Sequence, residues 1–197
     1  MTLFNAIPID EIKRKSFHML CLLYIIAYWV VPRGVMLPLF AAVIAVAVVG
    51  DVLRLRSVVF NNWILTRLGG VHRDGETNGI SGLPWTLTGS FLTMLLFSDR
   101  AIVMVSLLYM ALGDAAAALV GRTFGKHRLI PGKTVEGSAA CFVVCLIVGF
   151  FFLSWPAAII GAAIATIIEA IPWPLNDNFW MPLASASLLS LLLPLLR

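Results

Sequence analysis

Seven long apolar runs, near residues 16–31, 35–50, 83–97, 101–120, 138–153, 156–171 and 179–196, constrain this chain more than any other feature. Backbone N–H and C=O groups must be paired internally in hydrocarbon, so successive runs of this kind point to helices that span a bilayer. Of the 197 residues, 60% are hydrophobic and 12% are charged. A soluble domain carries about 25% charged residues, so a water-surrounded globular core is not expected. Several runs are shorter than the ~20 residues of a full span. Their helices must extend into polar flanks, or the bilayer must thin around them. The expected fold is an all-α polytopic bundle of about seven transmembrane helices in a single domain covering residues 1–197.

Lys and Arg set the orientation. With a cytoplasmic N-terminus, the inner segments hold Lys13, Arg14 and Lys15, then Arg54, Arg56, Arg67 and Arg73, then Arg122, Lys126, Arg128 and Lys133. The outer segments keep only Arg33, Arg100 and Arg197. This places the N-terminus inside and the C-terminus outside. Trp29, Trp85, Trp155, Trp173 and Trp180 lie near span ends, as an interfacial aromatic belt requires. The first apolar run ends AYWVVPRG without a small-x-small cleavage site, so it reads as a membrane helix beginning near Asp10, not as a signal peptide. DVLRLRSVVFNNWILTRL, residues 51–68, either continues the second span into the cytoplasm or lies along the interface. The cations are not massed on one soluble face, which argues against nucleic acid as a partner. Cys21, Cys141 and Cys145 all sit in apolar runs and read as small buried hydrophobes.

The polar residues gather in a few places. Asp114, in SLLYMALGDAAAALVG, is an acid at membrane depth, where a charge is costly and by default points to function. The bland alternative is a packing motif with Asp114 paired to a neighbouring cation. GRTFGKHRLIPGKTVEGS brings Gly121, Gly125, Gly132 and Gly137 together with Arg122, Lys126, Arg128 and Lys133. Glycines let backbone N–H groups approach a phosphate, and cations neutralise it. The GKT segment is not a Walker motif, because G-x-x-x-x-G-K-[ST] needs glycine where His127 stands and no strand is expected before it. In EIKRKSFHML, residues Glu11, Lys15 and His18 fall on one helix face beside Arg14. RLGGVHRDGETNGISGLPW offers Arg73 and Glu76 among turn residues. EAIPWPLNDNFWMPL places Glu169 at a span end and Asp177 at the next span's entry, where Asp177 is either an N-cap or a metal ligand. Carboxylates beside phosphate-binding cations suit magnesium–nucleotide chemistry, because Mg²⁺ takes one or two carboxylates plus phosphate oxygens. A site at the mouth of the bundle meets a lipid from one side and a soluble nucleotide from the other.

These residues resemble a known family, the membrane-embedded CTP-dependent lipid kinases (dolichol/polyprenol, phytol and farnesol kinases and yeast-type diacylglycerol kinase), which are related to the phosphatidate cytidylyltransferases. The resemblance rests on E-x-x-R-K-x-x-H at Glu11–His18 and R-x-x-E-x-x-x-x-x-G at Arg73–Gly82. It continues through G-D-x-x-A…G-R-x-x-G-K…K-T-x-E-G-S at Gly113–Ser138 and E…D-N-x-x-x-P-L from Glu169 to Leu183. It implies transfer of the CTP γ-phosphate to a lipid hydroxyl, a polyprenol or dolichol first among the acceptors, with a divalent metal such as Mg²⁺.

By position, the resemblance implies that Lys126, Lys133 and Thr134 bind the nucleotide phosphates, with Arg122, Gly125, Gly132 and Gly137 in the same loop. Asp114 and Glu136 would organise the metal or the attacking hydroxyl, with Asp114 the expected base and Lys133 stabilising the transferring phosphoryl group. Asp177 would be a further metal contact. Arg14, Lys15 and His18 would close the site from the first helix, with Glu11, Arg73, Glu76, Glu169 and Asn178 as further candidates. Where the family often shows two acids before the final asparagine, this chain has Asn176-Asp177-Asn178. Phe124 or His127 is a candidate to stack on the base. The implied partners are a lipid alcohol, a nucleoside triphosphate and membrane lipids, met at the cytoplasmic side. Two rivals stand beside this reading. One is a cytidylyltransferase making CDP-lipid from phosphatidate. The other is a transporter with Asp51, Asp114 and Glu169 along its path.

Overall fold

The computed structural model describes residues 9–67, 76–173 and 176–195. It is helical nearly throughout, and helix covers most of each of the seven apolar runs. Helix α1 (Ile9–His18) starts close to the expected Asp10, with Asp10 and Glu11 in its first turn, where they complement the helix dipole. The first apolar run is not one rod. Around Met19 and Leu20 the backbone bonds tighten to i→i−3 spacing, as from Leu20 to Phe17 and from Leu22 to Met19, and a separate helix α2 (Cys21–Val30) follows.

Helix α3 (Arg33–Arg56) runs unbroken for 24 residues, about 36 Å at 1.5 Å per residue. The second apolar run thus continues as helix into its polar flank, and α4 (Val58–Arg67) follows as a separate helix. Helix α5 (Gly82–Leu96) leads to α6 (Arg100–Leu108), whose N-terminus is capped by Asp99 through the amides of Ala101 and Ile102. A π-turn at Tyr109–Gly113 joins α6 to α7 (Asp114–Phe124). A short antiparallel hairpin, β1 (Arg128–Ile130) and β2 (Lys133–Thr134), departs from the all-α expectation and puts a strand ahead of the GKT segment. Helices α8 (Val135–Phe152), α9 (Trp155–Ala170) and α10 (Asp177–Leu192) complete the fold.

Among the described residues, three helical rods are long and apolar enough to cross a membrane: Arg33–Arg56, Arg100–Phe124 and Val135–Phe152; Trp155–Ala170 is apolar but shorter. The α6–α7 rod is the most buried of the three and α3 the least. Helix α8 packs against α7 and α9, and α10 against α5, α6 and α9. Small residues allow the close approaches that drive helix association in lipid. A Cβ at Gly113 would lie 2.6 Å from the Cys145 sulfur. Cys141 and Cys145 are fully buried free thiols on one face of α8, as their spacing predicts. Met94, Val103, Val105, Leu107 and Leu189 fill the remaining core.

Candidate active site

Helix α1 supplies one wall of the site. Its Glu11, Lys15 and His18 lie one and two turns apart, so a single face meets α7. Lys15 forms a buried ion pair with Asp114. The His18 Nε2 lies 3.8 Å from the same carboxylate oxygen and 3.4 Å from the Met110 carbonyl oxygen. Glu11 accepts from Arg14 at 2.6 Å and faces the Arg122 guanidinium at 3.2 Å. Asp114 is thus both the paired acid of the bland reading and the centre of a cluster joining residues 99 positions apart. It follows directly on the π-turn, a distortion found often at functional sites because it re-aims the side chains after it.

The hairpin and the start of α8 supply the opposite wall. Pro131 and Gly132 occupy the turn between β1 and β2, and Gly132 has φ +83°, the conformation a type II turn demands of its third residue. This turn aims Lys133 inward. Lys133 pairs with Glu169 at the end of α9, and its Nζ is 3.9 Å from the Asp177 carboxylate at the start of α10. Thr134 caps α8 through the Gly137 amide at 3.1 Å. The other loop glycines serve packing as well. A Cβ at Gly137 would lie 2.7 Å from the Ala117 carbonyl oxygen, and one at Gly121 would lie 2.9 Å from the Thr134 hydroxyl. Here α7 and α8 touch backbone to backbone.

Between these walls lies a polar cavity of about 270 Å³. Asp114, Glu169 and Asp177 line it, with Arg14, Arg122 and Lys133 as the cations. Gly121, Gly132, Thr134 and Gly137 complete its rim together with Ser138. The Ser138 hydroxyl is buried and has no hydrogen-bond partner among the described residues, a costly state that a phosphate oxygen would relieve. Ser138 closes the K-T-x-E-G-S motif, in which only its burial marks it out. Among the described residues, no three His, Cys, Asp or Glu side chains form a ready metal cage. Asp114 and Asp177 still present hard oxygen donors to one space, and a cation there would complete its shell with phosphate oxygens, as Mg²⁺ commonly does.

Several candidates stand elsewhere. Glu136 does not line the cavity; it holds the exposed His127 ring at 2.7 Å and faces the His127 amide at 3.3 Å. It therefore fastens the hairpin. Gly125 and Lys126 do not line the cavity either. His127 is engaged by Glu136, and Phe124 is half-exposed at the end of α7. The N-cap of α10 is Asn176, which accepts from the Asn178 amide at 2.9 Å, while Asp177 is the first helical residue. This corrects the capping alternative for Asp177. Arg73 lies outside the described residues.

A second cluster leaves little trace in the sequence. Arg54, 2% exposed, donates to Asp51 at 2.9 Å, to the Asn61 side chain at 2.9 Å and to the carbonyls of Glu76, Thr77 and Gly79. The other Asp51 oxygen accepts from the Ser81 amide at 2.7 Å. The only signal in the sequence was the spacing of Asp51 and Arg54, three apart on a helix. This cluster borders a second cavity of about 380 Å³, which Glu76 and Asn178 also line.

The comparisons with known proteins bear on the chain as a whole. The model of the cytidylyltransferase family matches residues 6–195. An uncharacterised protein of Rickettsia prowazekii is 31% identical over 186 residues, covering 88% of this chain and 90% of the relative. CTP-dependent diacylglycerol kinase 1 of Saccharomyces cerevisiae is 26% identical, covering 89% of this chain and 71% of that enzyme. Phytol kinase 1 of Arabidopsis thaliana is 25% identical, covering 89% of this chain and 64% of that enzyme. No solved structure matches the chain. With a family match from end to end, and with CTP-dependent lipid kinases among its relatives, the chain belongs to the cytidylyltransferase family.

Proposed function

We propose that the chain is a CTP-dependent kinase that transfers the γ-phosphate to the hydroxyl of a membrane lipid alcohol, of the polyprenol type, at the cytoplasmic face of a seven-span bundle. The observation that carries this reading is the convergence of Asp114, Lys133 and Asp177 on one polar cavity flanked by Arg14 and Arg122. The names of the relatives, kinases of diacylglycerol and phytol, support both the donor and the acceptor class.

Phosphoryl transfer asks the protein for positioning and charge stabilisation. In this reading Lys133 leaves Glu169 to meet the triphosphate, and Arg14 and Arg122 neutralise its outer oxygens. Ser138 and Thr134 donate from the start of α8. Asp114 and Asp177 would hold a divalent cation, which would supply charge neutralisation to the phosphates. Asp114 receives the proton of the lipid hydroxyl as its oxygen bonds to the γ-phosphorus, and the bond from that phosphorus to the departing CDP oxygen breaks. Lys15 and His18 hold the carboxylate in place from α1. Glu136 keeps the hairpin, and therefore Lys133, in register.

The second reading, favoured by the family name, is a cytidylyltransferase that joins CMP to phosphatidate and releases pyrophosphate. The test is to incubate the purified protein with CTP or ATP and a panel of polyprenol, dolichol, phytol, farnesol, diacylglycerol and phosphatidate. The kinase reading expects lipid phosphate and CDP from an alcohol and CTP, and turnover of phosphatidate to CDP-lipid alone would replace it with the second.

A further inference from the structure

The larger cavity lies on the other side of α1 from the polar one. Arg14 lines both cavities. Lys15 and His18 line the larger one while gripping Asp114, which lines the smaller. One turn of α1 is therefore the partition between two chambers. The larger chamber has apolar walls, with Phe17 from α1, Leu20 from the turn after it, Ala47 from α3, Ile64 from α4, and Leu83 and Leu87 from α5.

Its polar groups divide into two sets. Asp51, Arg54 and the Ser81 amide satisfy one another and the loop carbonyls, so they form a closed wall. At the partition, Arg14, Lys15 and His18 are taken up by Glu11, Asp114 and the Met110 carbonyl, but one acceptor lining the chamber is left over. The Asn178 Oδ1 is buried and has no hydrogen-bond partner among the described residues. A buried acceptor left unmade is costly, and it calls for a donor. A chamber with apolar walls and an acceptor needing a donor, one helix away from a phosphate-binding cavity, fits a molecule with a hydrocarbon body and a hydroxyl head.

We propose that this chamber is the acceptor site, which takes the hydroxyl end of a lipid alcohol and its first chain carbons, with its head beside Arg14, which lines both cavities. This rests on the kinase reading and adds where the lipid sits and which residues select it. Gly50 is the selecting position. It lines the chamber in the middle of α3, and a Cβ built there meets nothing within 4 Å. A larger side chain would start in open space and grow into the room the lipid needs, without displacing a neighbour. Ligand cavities of ~300–1,000 Å³ are the usual range, and filling this one would leave little for a chain.

The test uses a farnesol analogue carrying a diazirine on its chain, irradiated with the purified full-length protein in lipid nanodiscs, and the labelled peptides are mapped. Label is expected in the peptides holding Ala47–Arg54 and Ser81–Leu87. Gly50→Phe should reduce it about tenfold or more, the scale on which a hydrophobic pocket rejects a change of a few carbons. The variant should keep the melting temperature and CTP affinity of the parent. Label placed elsewhere, no label, or equal labelling of Gly50→Phe would overturn the proposal. The labelling does not need turnover. Label in the chamber without CTP-dependent phosphorylation would reject the kinase reading alone, and phosphorylation with label elsewhere would reject the chamber alone.

Discussion

Arg54 and Lys133 are both cations held by carboxylates, but their surroundings differ. Arg54 spends its donors on Asp51, Asn61 and three loop carbonyls, and it is sealed from solvent. Lys133 has two acids near it, Glu169 and Asp177, and its side chain is 23% exposed toward a cavity. The first arrangement is complete without a ligand. In the second, a compact ammonium meets an excess of carboxylate beside an unpartnered Ser138 hydroxyl. The comparison teaches that burial of charge alone does not mark a site. What marks it is charge that the protein leaves available to something else.

The sharpest way to break this comparison is to remove the acting groups and find no loss. Asp114→Asn and Lys133→Ala should each lower CTP-dependent lipid phosphorylation by roughly 10³-fold or more, the scale of a group that stabilises transferring charge. Insertion should stay near that of the parent, while melting should fall because Lys15 or Glu169 is left unpaired; near-normal turnover per folded protein in either variant would end its role. Arg54→Ala should do the opposite. Breaking a buried ion pair by removing one partner costs about 3–5 kcal/mol, so the variant should melt far below the parent. Its residual folded fraction should keep its KM for CTP. Loss of turnover at unchanged melting temperature would move Arg54 into the site.

Glu169→Gln tests the tether on Lys133. If the carboxylate competes with the triphosphate, its removal should lower the KM for CTP by about threefold, as loss of an opposing charge would. A raised KM would show that Glu169 aims Lys133. Glu136→Gln should have the smallest effect, less than about threefold in kcat, because Glu136 meets His127 and not the cavity. A loss as deep as that of Asp114→Asn, in a variant whose fold is intact, would return Glu136 to the catalytic set.

Much of this arrangement was legible in the residues. Asp114 stood out because an acid in an apolar run is costly, Lys133 because cations beside glycines suit phosphate, and Lys15 because it shares a helix face with Glu11 and His18. Which acid meets which cation was not legible. Lys133 and Glu169 are 36 residues apart and meet only because α8 and α9 fold into a hairpin. The β-hairpin escaped notice because its strands have three and two residues, although Pro131-Gly132 is a turn signal. Arg54 read as a topology-setting cation because its partners are mostly backbone carbonyls, which carry no side-chain signature. Asn176 displaced Asp177 as the cap because either side chain can accept from an N-terminal amide and only geometry chooses.

The central claim is that the polar cavity passes the terminal phosphate of CTP to a lipid hydroxyl. It is tested most directly by supplying the purified protein and a polyprenol with CTP labelled in either the α- or the γ-phosphate, then extracting the lipid. The account predicts that γ-label alone enters the lipid fraction, with CDP left in solution. Entry of α-label, or no entry of γ-label with any alcohol of the panel, would contradict it.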